Sequence, residues 1–142
     1  MSQTKQIALD YHNRINAGDI AGAATYVAED CLNHAAIPEA QGRAGFVATM
    51  TKLRTAFPDL THALEDIIVE GDRAVLRVTA TGTNKGPLAF ARMPMPATGK
   101  SVKFEAIHIV RVAGGKIVEH WMGQDSIAMF RQLGVKLEAP TA

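Results

Sequence analysis

The chain has 142 residues, 47% of them hydrophobic and 20% charged, which is the make-up of one globular domain with a sizeable core. Its formal net charge is +1 and its lysines and arginines are scattered, which argues against a nucleic-acid or membrane-surface role, since both need a concentrated basic footprint. Cys31 is the single cysteine, so an intrachain disulfide and a cysteine-based zinc site are excluded and a reducing cytoplasm is expected; no apolar run is long enough to span a bilayer, and the N-terminus lacks the apolar core of a signal peptide.

The first helix is expected from about Thr4 to Ala17, with Ile7, Tyr11 and Ile15 recurring every four residues and Ala8 beside them. Gly18 supplies a stop and Asp19 a cap for a second helix carrying Ile20, Ala23, Ala24 and Val27, which would end at Glu29-Asp30. Cys31 to Ala35 reads as a short extended piece. A third helix then places Phe46, Met50, Leu53 and Phe57 on one face and stops before Pro58, because the residue preceding proline disfavours the helical region.

From Thr61 the texture becomes that of strands. Thr61 to Val69 is one, and Arg73 to Thr83 is another, with Ala74, Leu76, Val78 and Ala80 predicted to face the interior. The stretch from Asn84 to Lys100 reads as a loop, and its segment Arg92-Met93-Pro94-Met95-Pro96 is either a lid, an oligomer contact or a plain loop tip. Ser101 to Ala113 is a third long strand, Gly114-Gly115 a tight hairpin turn, and the last strand runs to about Gln124 before a helix from Ser126 to Leu133. Helices first, then an antiparallel meander, then a short helix makes an α+β domain with helices laid on one face of a curved sheet.

Glu119, Trp121 and Asp125 share one parity in the last strand. If Gly114 and Gly115 form a two-residue loop with regular pairing, Val110 opposes Glu119 and His108 opposes Trp121, so His108 and Asp125 look into one concavity walled by Trp121 and roofed by Tyr11, Phe46 and Met50. A carboxylate in such a pocket suits proton transfer, and His108 can donate to a carbonyl. Each has a bland alternative: Asp125 as the cap of the last helix, His108 as a satisfied core histidine, Glu119 as a solvated acid. His34 is a pocket wall, a capping group or surface. No histidine pair has metal-motif spacing, Cys31 has no base partner, and no glycine-rich phosphate loop follows a strand, so no metal or cofactor is expected.

The phrases Phe57-Pro58-Asp59-Leu60, Glu70-Gly71-Asp72-Arg73, Gly82-Thr83, Ala97-Thr98-Gly99-Lys100, Gly115-Lys116-Ile117-Val118-Glu119-His120-Trp121, then Asp125 and Gln132-Leu133-Gly134, occur in this order. Together they resemble the SnoaL-like polyketide cyclase family, with its ester-cyclase homologues, in the ketosteroid isomerase-like, nuclear-transport-factor-2-like superfamily. The resemblance implies a single cone-shaped α+β barrel of curved, mainly antiparallel sheet with N-terminal helices over its concave face, and a dimer or tetramer formed through the outer sheet face. It also implies a cofactor-independent intramolecular aldol cyclisation of a small apolar or aromatic carbonyl compound. Asp125 matches the family's acid/base, His108 its substrate-holding strand histidine, and Tyr11 its helix tyrosine; His34, Phe46, Met50 and Trp121 would complete the substrate wall. Three features depart from the family: Asn84 stands where a histidine often follows the Gly-Thr pair, the loop between Gly86 and Ala97 is longer, and helix three has no polar asparagine where Phe46 and Met50 stand. A non-catalytic small-molecule-binding protein is the alternative on the same scaffold, as is a dehydratase, isomerase or epoxide hydrolase, the last needing Arg77 beside Asp125.

Overall fold

The N-terminal helix α1 (Gln3–Asn16) starts where the Ser2 hydroxyl accepts the Lys5 N–H, and it buries Ile7, Ala8, His12 and Ile15 on one stripe. The computed structural model describes residues 2–90, 93–136 and 138–139. Gly18 ends the helix in the left-handed region, and the Asp19 carboxylate accepts the Gly22 N–H to cap α2 (Ile20–Ala24). The second helix is shorter than expected. Val27 is the first residue of a strand, β1 (Val27–Asn33), and pairs parallel to Ile117. The reason lies far along the chain. The outer edge of the last strand needs backbone partners, and Tyr26 O accepts from Ile117 N while His120 O accepts from His34 N.

A 3-10 turn (Pro38–Ala40) leads to α3 (Gly42–Ala56), which stops before Pro58 as expected. Strands β2 (Thr61–Glu70), β3 (Arg73–Thr83), β6 (Ser101–Ala113) and β7 (Lys116–Gln124) are antiparallel neighbours, and α4 (Ser126–Gln132) closes the fold. Between β3 and β6 the expected loop carries a short hairpin, β4 (Leu88–Phe90) with β5 (Met93–Met95); Arg92 lies outside the described residues. Strand order is β1-β7-β6-β3-β2, an open, mixed sheet in which β1 is the parallel member, and the class is α+β as expected. No helix among the described residues is long and apolar enough to cross a membrane.

The inner face of β3 is buried at Ala74, Leu76, Val78 and Ala80, as its alternation predicts, and packs with Ala106, Val110 and Ile117 against Ile7 and Ala8 of α1. A second cluster at the other end joins Phe57, Leu60, Leu88, Val102, Met129 and Leu133. Asn84 sits between these strands and α3, almost fully buried, and satisfies itself: its amide nitrogen donates to Ala56 O and Gly86 O, while its oxygen accepts from the Thr98 N–H and hydroxyl. The position at which a histidine often follows the Gly-Thr pair in the family thus holds the β4–β5 loop to the end of α3.

Candidate functional site

The two-residue Gly114-Gly115 turn forms with both glycines at positive φ, and Ala113 faces Lys116 as expected. Val112 then faces Ile117, but Arg111 faces Glu119, so Val118 is an extra residue bulged out of the ladder. Beyond it Val110 pairs with His120, Ile109 with Trp121 and His108 with Met122. This corrects the expected register, because one added residue reverses every side chain beyond it. His120, Met122 and Gln124 share the inner face with His108; Glu119, Trp121 and Gly123 face outward. The β1 pairing breaks at the same place, passing from Val27↔Ile117 to Leu32↔Glu119. Regular pairing would have turned the Glu119 carboxylate toward the core, where an unpaired charge is costly.

Outside, Glu119 has two partners. Its carboxylate accepts from Arg111 Nε at 2.9 Å and lies 2.7 Å from His34 Nε2. The hydrogen bond to His34, then that from Arg111, holds the Glu119 carboxyl below its ordinary range. His34 stacks flat on Trp121, with centroids 4.8 Å apart and 5° between planes, and the Arg73 guanidinium lies 5.2 Å from the Trp121 ring. His34 and Trp121, expected as pocket walls, therefore stand on the outer face. Asp125 continues that parity. It is exposed, caps α4 by accepting the Ala128 N–H at 3.0 Å, and borders an open outer groove with Arg77, Lys103 and Glu105. The structure does not bring Asp125 to His108, and the helix-cap role accounts for its position. Arg77 shares that outer groove but pairs with Glu105 at 3.8 Å.

Inside, His108 Nδ1 lies 2.9 Å from His120 Nε2, with the rings stacked 5.2 Å apart, and His120 Nδ1 lies 3.0 Å from Asn33 Oδ1 on β1. His62 enters from β2 opposite Ala80, and His12 from the buried stripe of α1. Burial, then the neighbouring His120, His62 and His12, lowers His108 to about 3; burial, then His34, lowers His120 to about 4; burial, then His12 and Arg54, lowers His62 to about 4. His12 is lowered as well, chiefly by burial. All four are neutral at pH 7. The inward positions of β2, β3, β6 and β7 hold no aspartate or glutamate. Tyr11 packs on Phe46 at 5.6 Å, and burial raises its hydroxyl pKa. Met50 sits lower, packed with Ile15 and Ala23 between the helices.

Of the residues expected at the site, His108 stands on the inner face with Tyr11 and Phe46 packed over the same core. His12, His62, His120 and Asn33, which were not expected, cluster with it. His12 was legible, four residues after Ala8 on the apolar stripe, and His62 shares parity with Leu64. His120 and Asn33 were not, since nothing in Lys116-Ile117-Val118-Glu119 announces a bulge.

The cluster predicts acid sensitivity. Below an ordinary histidine value of 6.5 the unfolded chain takes up protons that the folded chain refuses, so stability falls as pH drops from about 6.5 toward 4 and 3. Each such histidine contributes a slope of up to about 1.4 kcal/mol per pH unit. The Glu119 contacts act lower: their stabilisation is complete above 4.5 and is lost as pH falls through the lowered folded value. Urea midpoints measured against pH should decline between 6.5 and 4.5; a flat profile there would contradict a neutral, buried cluster.

The family model for SnoaL-like polyketide cyclases matches residues 5–133. Two relatives are each 33% identical over 130 residues: the aklanonic acid methyl ester cyclases DauD of Streptomyces sp. (strain C5) and DnrD of Streptomyces peucetius. The match covers 88% of this chain, with 78% and 86% of theirs. Among solved structures, TsrD from Streptomyces laurentii superposes with a TM-score of 0.80 at 27% identity, covering 93% of this chain and 95% of that one.

Proposed function

This chain belongs to the SnoaL-like polyketide cyclase family, and from that premise we propose that it closes a ring on a small, mostly apolar carbonyl compound by cofactor-independent acid/base chemistry. The observation that carries the reading is His108 Nε2. Among the described residues it has no hydrogen-bond partner, and only Arg54 Nε is both without a partner and fully sealed from solvent. A neutral imidazole nitrogen without a protein partner, on an inner face without carboxylates, is the proton acceptor available there.

In this reading His108 Nε2 takes a proton from a carbon flanked by carbonyls. The C–H electron pair becomes the enolate, whose carbon attacks a ketone of the same molecule. The ketone's π pair moves to oxygen, and the resulting alkoxide recovers the proton from His108. Burial keeps His108 neutral and so available as a base at pH 7, and it disfavours the imidazolium that forms. The substrate must therefore bring its own acidity, and a 1,3-dicarbonyl does so. Tyr11 and Phe46 shape the helix side of the site. Orientation of the two reacting carbons supplies much of the remaining acceleration.

The test is turnover of aklanonic acid methyl ester, the compound that DauD and DnrD are named for. Conversion to a ring-closed isomer of unchanged mass is expected, and Asp125→Asn should keep the wild-type kcat. Loss of turnover in folded Asp125→Asn would move the base to the outer rim; binding of the ester without conversion would favour an accessory protein. The same reading includes a homodimer or homotetramer through the outer sheet face, where Leu32, Ile68 and Ile107 stand exposed, and a cytoplasmic place, which suits the free, buried thiol of Cys31.

A further inference from the structure

We infer that Asn33 and His120 are positioning residues that lock His108 in the Nδ1–H tautomer, leaving Nε2 bare toward the substrate. Their role rests on the acid/base reading above; the tautomers themselves follow from hydrogen bonding alone.

The backbone N–H of Ala35 can only donate, and it meets Asn33 Oδ1 at 2.9 Å, so the atom there is the carbonyl oxygen and the amide orientation is set. Gln41 clamps the same residue, its Oε1 accepting the Asn33 N–H at 2.7 Å and its Nε2 donating to Asn33 O at 2.9 Å. His120 Nδ1 faces that oxygen at 3.0 Å and must donate. A neutral His120 that is protonated on Nδ1 has a bare Nε2. His108 Nδ1 meets this lone pair at 2.9 Å and must donate in turn. The remaining nitrogen, His108 Nε2, carries a lone pair and no protein partner. One acceptor on an edge strand thus sets the protonation of two rings.

The chain also gives the proton a second station. When Nε2 of His108 gains a proton, its Nδ1 proton can pass to His120 Nε2: one N–H bond forms on each ring, the Nδ1–H bond of His108 breaks, and the positive charge moves to His120 beside Asn33 Oδ1. That transfer carries charge away from His62 and His12, which both disfavour a cation on His108, and from Arg54 behind His62. His34, from the outer face, is the opposing charge felt by His120. The Tyr11 and Cys31 hydrogens stay in place, since burial raises both groups.

Long-range 1H–15N correlation spectra of 15N-histidine-labelled protein at pH 7 read the tautomers without any ligand. Both His108 and His120 are expected as Nδ1–H; an Nε2–H form at either ring overturns the assignment. Asn33→Leu removes the acceptor. It should scramble both tautomers and lower kcat toward aklanonic acid methyl ester by about 10–100-fold at unchanged KM. Asn33→Asp keeps an acceptor for Ala35 and His120, so it should retain both tautomers and most of kcat while moving the His120 titration upward from about 4, because a carboxylate favours the imidazolium. Unchanged tautomers and kcat in Asn33→Leu sink the positioning role. Wild-type turnover in His108→Gln sinks the acid/base reading while leaving the tautomer result standing, so the two failures are distinguishable.

Discussion

Replacing His108 by glutamine is expected to lower kcat by about 10²–10⁴-fold, the usual worth of a positioned acid/base, with KM near the wild-type value. The glutamine amide reaches roughly as far as the imidazole, and its N–H₂ can still donate to His120 Nε2, so the polar pairing on the inner face survives. What it lacks is a nitrogen lone pair that accepts a proton. Ground-state binding should persist because Tyr11 and Phe46 are untouched. No neighbouring acid can substitute, since the inward positions of β2, β3, β6 and β7 carry none. His108→Ala also leaves a space the size of an imidazole, and added imidazole should restore part of its turnover while doing nothing for His108→Gln. Equal loss in His108→Gln and Asp125→Asn would mean that the reacting atoms lie at the rim of the sheet rather than on its inner face.

Phe57→Ala should be the most damaging single truncation in the second core cluster, lowering stability by about 3–5 kcal/mol. At about 2–4 °C per kcal/mol for a chain near this length, calorimetry should show a midpoint roughly 6–20 °C lower. Phe57 is 1% exposed and caps the C-terminus of α3, its N–H donating to Leu53 O. Its ring lies among Leu60, Leu88, Val102, Met129 and Leu133, so it joins α3, β4, β6 and α4. Gly82 makes room for it: a Cβ at that position would come 3.2 Å from Phe57 Cβ. The neighbouring side chains are held by different elements and cannot all collapse into the vacated volume, which puts the effect at the high end of such truncations. A loss below 1 kcal/mol would mean that this cluster is far more loosely packed than its burial indicates.

Where an element is decided by its neighbours in sequence, it was legible. Gly18 ends the first helix and Asp19 caps the second, Pro58 stops α3, and two glycines at positive φ make the hairpin turn after Ala113. Strand β3 alternates cleanly because one of its faces is buried throughout, and α4 begins at Asp125 because an aspartate there accepts the Ala128 N–H. Hydrophobic period and cap chemistry are local properties, and they carry the α+β class with them. The ordered family phrases add the architecture for the same reason, since each marks a turn or an element end.

The site was legible only in part. His108 was singled out by pairing two strands across a turn and by the family resemblance, and it shares the inner face of its strand with Ala106 and Val110. The choice of Asp125 and Trp121 as its companions came from that same pairing, and there one unpaired residue, Val118, reversed the result. A bulge has no signature in residue type at Ile117-Val118-Glu119. It is set by where β1 must join β7 and by Glu119 reaching Arg111 and His34 in water instead of entering the core. Composition, caps, turns and the burial period of single strands were thus determined by the sequence on its own, because their energies come from residues a few positions apart. The bulge, the parallel strand at the edge and the Asn33–His120–His108 chain were decided by the tertiary structure alone. Their energies come from hydrogen bonds between groups 8 to 91 residues apart, from Arg111 with Glu119 to Tyr26 with Ile117, and such partners exist only once the sheet has formed around them.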